Sequence, residues 1–140
     1  MRFMIIVKAT RDSEAGVLPT DGTLMAEMAE YHEALAKAGM LLDGSGLQAS
    51  SSGWRIKYNG KRTTLVDGPF AETKELVAGY TLIKAKSREE ALEWTRRFPN
   101  PSLDGGVAEI EVRQLFELED FAPNPAVGRF RDLGIGGEQR

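Results

Sequence analysis

Residues 65–83 read LVDGPFAETKELVAGYTLI, and the fold follows from how this stretch is divided. Thr63, Thr64, Leu65 and Val66 end a strand. Asp67-Gly68-Pro69-Phe70 breaks it, because a proline has no amide proton to give a sheet ladder and fixes its own φ. Residues 71–75, AETKE, form a polar loop carrying both charge signs. At residues 76–83 the chain becomes strand-like again. A strand, a rigid turn, a charged loop and a second strand make a natural rim for a cleft.

Working back toward the N-terminus, Asn59-Gly60 is a strong two-residue hairpin signal. It joins the alternating Trp54-Arg55-Ile56-Lys57-Tyr58 to residues 62–66, with Trp54 and Tyr58 expected as packing residues. Asp43-Gly44-Ser45-Gly46 follows the apolar residues 40–42, which reads as a bent or bulged strand. Leu24, Met28, Tyr31 and Leu35 fall on one face of a 3.6-residue period, predicting a helix over residues 24–38 that Gly39 ends. Residues 9–22 are a long polar connection, and residues 3–8 a compact apolar first strand.

Toward the C-terminus, Ser87 with Glu90 three residues on is a capping-box pattern that opens a second helix, which Pro99 and Pro101 end. Residues 107–116 alternate cleanly and make the last strand. Alternation puts Lys8, Glu111 and Arg113 on the same side of the sheet, where an arginine needs a carboxylate partner. Residues 119–140, with Pro123, Pro125 and four glycines, read as an irregular tail, either disordered or draped over a second subunit.

The order β-α-β, hairpin, β-α-β predicts an α+β, ferredoxin-like domain over residues 1–118. It has an antiparallel sheet with helices on one face only. The bare face calls for a second copy packed sheet to sheet, so a homodimer is expected.

The chain has 140 residues, which suits one domain. Net charge is −3, and aromatics do not share clusters with Arg and Lys, so no nucleic-acid partner is expected. The absence of cysteine removes thiolate chemistry and fits a reducing cytoplasm. The N-terminal apolar run is too short for a signal segment, and no stretch approaches a membrane span.

His32 is the only histidine. It flanks the apolar helix face, either as a boundary residue or as a general base oriented by Asp67 or Asp43. Asp67 is a second acid/base candidate, or else simply caps the turn that follows it. Glu72, Thr73 and Lys74 are either a solvated loop or a ligand-binding one, with Glu72 bracing Lys74 against an anion. Asp43 is a further ligand-binding candidate. No zinc-binding spacing, Walker motif or GxSxG context exists, so no metal and no cofactor is expected.

The sequence resembles the DGPF branch of the YCII-related family. The resemblance is carried by Met4-Ile5-Ile6-Val7, Ala38-Gly39-Met40-Leu41-Leu42, Asp67-Gly68-Pro69-Phe70-Ala71-Glu72-Thr73-Lys74-Glu75, Gly79-Tyr80, Glu90-Ala91-Leu92-Glu93-Trp94 and Ile110-Glu111-Val112-Arg113. It implies a dimeric α/β barrel. Some relatives carry a His–Asp pair, and its positions correspond here to the neighbourhoods of Met28 and of Phe98-Pro99-Asn100, so that pair is not carried over. Two functions are therefore expected as alternatives. One is a small cofactor-free enzyme using an acid/base residue on a small polar or carboxylate-bearing substrate. The other is a non-catalytic ligand- or protein-binding module linked to extracytoplasmic-function sigma factors.

Overall fold

The structure is a computed structural model and describes residues 1–20 and 22–137. Strands β1 (Arg2–Lys8), β2 (Leu41–Gly46), β5 (Val77–Lys84) and β6 (Ile110–Gln114) form one sheet in the order β2-β5-β1-β6. All three pairings are antiparallel. Strands β3 (Trp54–Asn59) and β4 (Arg62–Asp67) form a separate two-stranded hairpin between β2 and β5 in sequence. Helices α2 (Thr23–Lys37) and α3 (Arg88–Thr95) cover one face of the sheet. This is the ferredoxin-like plan with an inserted hairpin.

Register decides which residues meet. Phe3 and Ile5 of β1, Ile83 of β5 and Val112 of β6 share the helix side, where Tyr31, Leu35 and Ala91 close the core. Tyr31 holds the two helices together: its hydroxyl donates to the Trp94 carbonyl at 2.8 Å, and its ring meets Phe98 edge-on at 5.2 Å. Burial pushes the Tyr31 phenol up to about 12, partly offset by the positive charge of Arg97. A pKa raised in the folded state means the neutral phenol contributes fully below its ordinary value near 10. That contribution is lost as pH climbs toward 12. The urea midpoint of the wild type is therefore expected to fall between pH 10 and about 12 more steeply than that of Tyr31→Phe. Equal slopes for the two proteins would contradict this.

On the bare side of the sheet, Glu111 bridges Lys8 at 3.3 Å and Arg113 at 3.1 Å, the triad that strand alternation implies. The Glu111 carboxyl is held below its usual range, first by the Arg113 hydrogen bond and then by Lys8. Met4, Ile6 and Leu82 lie between this cluster and Asp43, half-buried.

Two expectations need correction. The polar connection contains a short helix, α1 (Arg11–Glu14), closed by a reciprocal Thr10–Ser13 capping box. The tail is not irregular throughout: Asn124 caps helix α4 (Pro125–Asp132), and buried Leu118 takes a backbone bond from its amide to the Gly136 carbonyl. Its last three residues, 138–140, and Asp21 lie outside the described residues. Trp54 and Tyr58, read from sequence as packing residues of the hairpin, lie on one side of it and are 64% and 75% exposed. No helix of the described residues is long and apolar enough to cross a membrane.

Candidate functional site

Helix α2 presents His32 one residue past the buried Tyr31, so its ring lies at the boundary between core and solvent. The adjoining wall is the edge of the sheet, where β2 runs beside β5. Between them is a cavity of about 670 Å³, reached by His32, Thr81, Gly44, Asp43, Tyr80, Phe98 and the apolar residues Val7, Met25, Met28, Leu41 and Leu42.

The two ring nitrogens of His32 are both engaged. Nδ1 lies 2.7 Å from the Met28 carbonyl, and Nε2 lies 2.8 Å from the Thr81 hydroxyl. A carbonyl only accepts, so Nδ1 carries the proton and donates. In the neutral ring Nε2 is then the basic nitrogen and accepts from Thr81. Tyr31 and Phe98 meet the imidazole edge-on at centroid distances of 5.7 and 6.3 Å, which limits its rotation.

Gly44 makes this nitrogen reachable. A side chain built there would lie 3.7 Å from Thr81 Oγ1 and 3.8 Å from His32 Nε2. That space is empty only because the residue is glycine. Sequence reading singled out neither Gly44 nor Thr81 as chemical. Thr81 lies 49 residues from His32, and only the β2-β5-β1 order brings both beside α2.

The other predicted residues divide. Asp43 borders the cavity but faces the bare side of the sheet, accepting a 3.0 Å bond from the Tyr80 hydroxyl rather than orienting His32. Asp67 is exposed at the end of the hairpin opposite Trp54 and does not line this cavity. Glu72, Thr73 and Lys74 do not line it either. Glu72 has a left-handed backbone (φ 63°) and leads into a single 3-10 turn, Thr73–Glu75. Neither carboxylate proposed to orient His32 bonds to it, because Met28 and Thr81 occupy both nitrogens.

The Asp67-Gly68-Pro69-Phe70 turn is docked instead on residues 49–53. The Gly68 amide donates to the Gly53 carbonyl at 3.0 Å, and the Phe70 amide to Ser50 Oγ at 3.0 Å. The Ser50 amide in turn donates to Glu14 at 2.7 Å, and the Arg55 guanidinium lies 3.9 Å over the Phe70 ring. So a chain of contacts runs from α1 through Ser50 to the turn.

The model of the YCII-related domain matches residues 1–116. The chain belongs to the YCII-related family. An uncharacterised protein of Rhizobium meliloti (strain 1021) is 29% identical to this chain over 97 residues, which are 69% of this chain and 78% of the relative. Among solved structures, it is similar to 5-chloro-2-hydroxyhydroquinone dehydrochlorinase from Burkholderia phenoliruptrix AC1100, solved with 2,5-dihydroxybenzoquinone. The identity is 16%, the overlap covers 84% of this chain and 95% of that one, and the TM-score is 0.45. In this YCII-related chain the matched span contains His32, Gly44, Asp67 and Thr81.

Proposed function

We propose that this protein is a small acid–base enzyme in which the Thr81 hydroxyl turns aside to free the lone pair of His32 Nε2, which then takes a proton from an uncharged substrate held in the α2–β2–β5 cavity and returns it after exchange with solvent. The observation that supports this most is the fixed tautomer: a single histidine whose basic nitrogen, held by Thr81, borders the space that Gly44 leaves open. Direct action by the imidazole is favoured over attack by Thr81. Strand β5 is paired on both sides, so its amides are engaged in ladders rather than free to stabilise an oxyanion.

The lining sets the substrate class. Among the described residues its lining holds no lysine or arginine, and Asp43 is the one formally charged side chain. A carboxylate or phosphate would lose its hydration without gaining a counter-ion. The reading thus replaces a carboxylate-bearing substrate with a neutral molecule that has an apolar body and one hydroxyl or carbonyl oxygen. The homodimer, the DGPF branch and a cytoplasmic location belong to the same proposal, supported by the bare sheet face and the residues 67–75 motif.

The test uses proton exchange, which needs no knowledge of the product. A panel of neutral enolisable ketones and phenols is incubated with the protein in D2O and followed by NMR. Carbon-bound deuterium is expected to enter at least one compound faster than in buffer, and more slowly with Gly44→Val, which fills the space before Nε2. Exchange at the buffer rate throughout overturns the enzyme reading. The second reading would then stand, a non-catalytic module binding a ligand or an extracytoplasmic-function sigma factor. It is favoured by one observation: the DGPF turn and Asp67 lie outside the histidine cavity.

A further inference from the structure

Among the described residues, the strands of the hairpin β3–β4 are exposed throughout except at Val66. The hairpin is joined to neither edge of the four-stranded sheet, and it is held at its base by Gly68, Gly53 and the Arg55–Phe70 stack. Two-stranded hairpins alone in water are marginal. Yet one side of this one carries an apolar strip, bordered by Asp67 at its base and Thr63 near its tip. Register sets Ile56 opposite Leu65, with Trp54 and Tyr58 on the same side, and these are 44%, 60%, 64% and 75% exposed. The opposite side carries Arg55 and Lys57, and Lys61 and Arg62 sit at the tip.

We propose that this hairpin is an arm that clasps the body of a second copy of the chain, laying its apolar strip there with the tip cations Lys61 and Arg62 at the rim. Charge identifies the occupant. Residues 54–67 hold four cations against one carboxylate, a net of +3, while the whole chain is −3, so the remainder carries −6. An arm of one sign on a body of the other is complementary between copies, whereas arm against arm would set like charges together. Area agrees with it. In a two-fold pair the arm is used twice. Covering Trp54 and Tyr58 on both arms removes on the order of 600 Å², a large part of the roughly 1,200–2,000 Å² of a stable interface.

This deepens the homodimer reading, and its test separates the two. Sedimentation velocity from 1 to about 200 µM is run on the wild type, on Trp54→Ser/Tyr58→Ser and on Lys61→Glu/Arg62→Glu, with circular dichroism as the fold check. A concentration-dependent dimer is expected for the wild type. Its dissociation constant should rise at least tenfold in either variant, and also as salt is raised from 50 to 500 mM for the wild type. A dimer that neither variant weakens overturns the arm while leaving the homodimer. A wild type that stays monomeric overturns both. A tenfold loss in the serine variant with no salt or charge-swap effect overturns the acidic body as the docking surface.

Discussion

Gly68→Ala is expected to lower the stability of the protein by on the order of 2–4 kcal/mol and to free the hairpin from its base. A methyl group at this position would overlap the backbone carbonyl of Ser50, and the neighbour is main chain that cannot rotate away. Relief requires residues 49–53 to retreat. That movement breaks the Gly68–Gly53 bond and carries Ser50 away from both Phe70 and Glu14. Urea unfolding measures the first effect. Amide exchange at residues 50–53 and 68–70 measures the second, and is expected to accelerate before the rest of the chain opens. Wild-type stability with unchanged exchange would show that the turn is not a latch.

The second large effect concerns the imidazole. His32→Gln is expected to reduce the deuterium exchange described above by about 10²–10⁴-fold, the usual span for a positioned general acid or base. Glutamine is of similar reach, and His32 is only partly buried, so the urea midpoint should move little. Thr81 acts by holding the ring. Thr81→Val leaves Nε2 without its donor and should slow exchange by a smaller factor, which Thr81→Ser restores. A His32→Gln protein that exchanges at the wild-type rate removes the histidine from the chemistry.

Much of the architecture was readable from single signals. Asn59-Gly60 gave the hairpin, and Gly60 does adopt a left-handed backbone at φ 62°. Ser87 accepts from the Glu90 amide as its spacing implies, although the Glu90 carboxylate reaches the Lys86 amide instead of that of Ser87. Strand alternation placed Lys8, Glu111 and Arg113 on one face of the sheet, where Glu111 bridges both cations. These signals are local, or depend on a period of two. The candidate site is not of that kind. His32 was visible because histidine is rare here, but its partners were sought among charges, and the structure supplies a carbonyl and a hydroxyl instead. A carbonyl has no sequence signature, and one threonine in an apolar strand looks like β-propensity. The helix in the tail was legible in Asn124-Pro125, a cap residue before a proline at the first helical position, but the surrounding glycines and prolines obscured it.

Glycine at position 44 has a consequence for what can reach the imidazole. A side chain at Gly68 would strike the Ser50 carbonyl, and one at Gly79 would come within 2.9 Å of the Ser45 carbonyl, so both are fixed by the backbone. Gly44 is under neither restraint: its φ is not left-handed, and the nearest atom to a new Cβ would be 3.5 Å away. It is glycine by use rather than by necessity. An alanine there would shorten the chamber before His32 while making only ordinary contacts. On the proposed reading, the residue at position 44 sets how large a molecule can approach His32, and a side chain there changes the size of that chamber without touching the backbone that fixes Gly68 and Gly79.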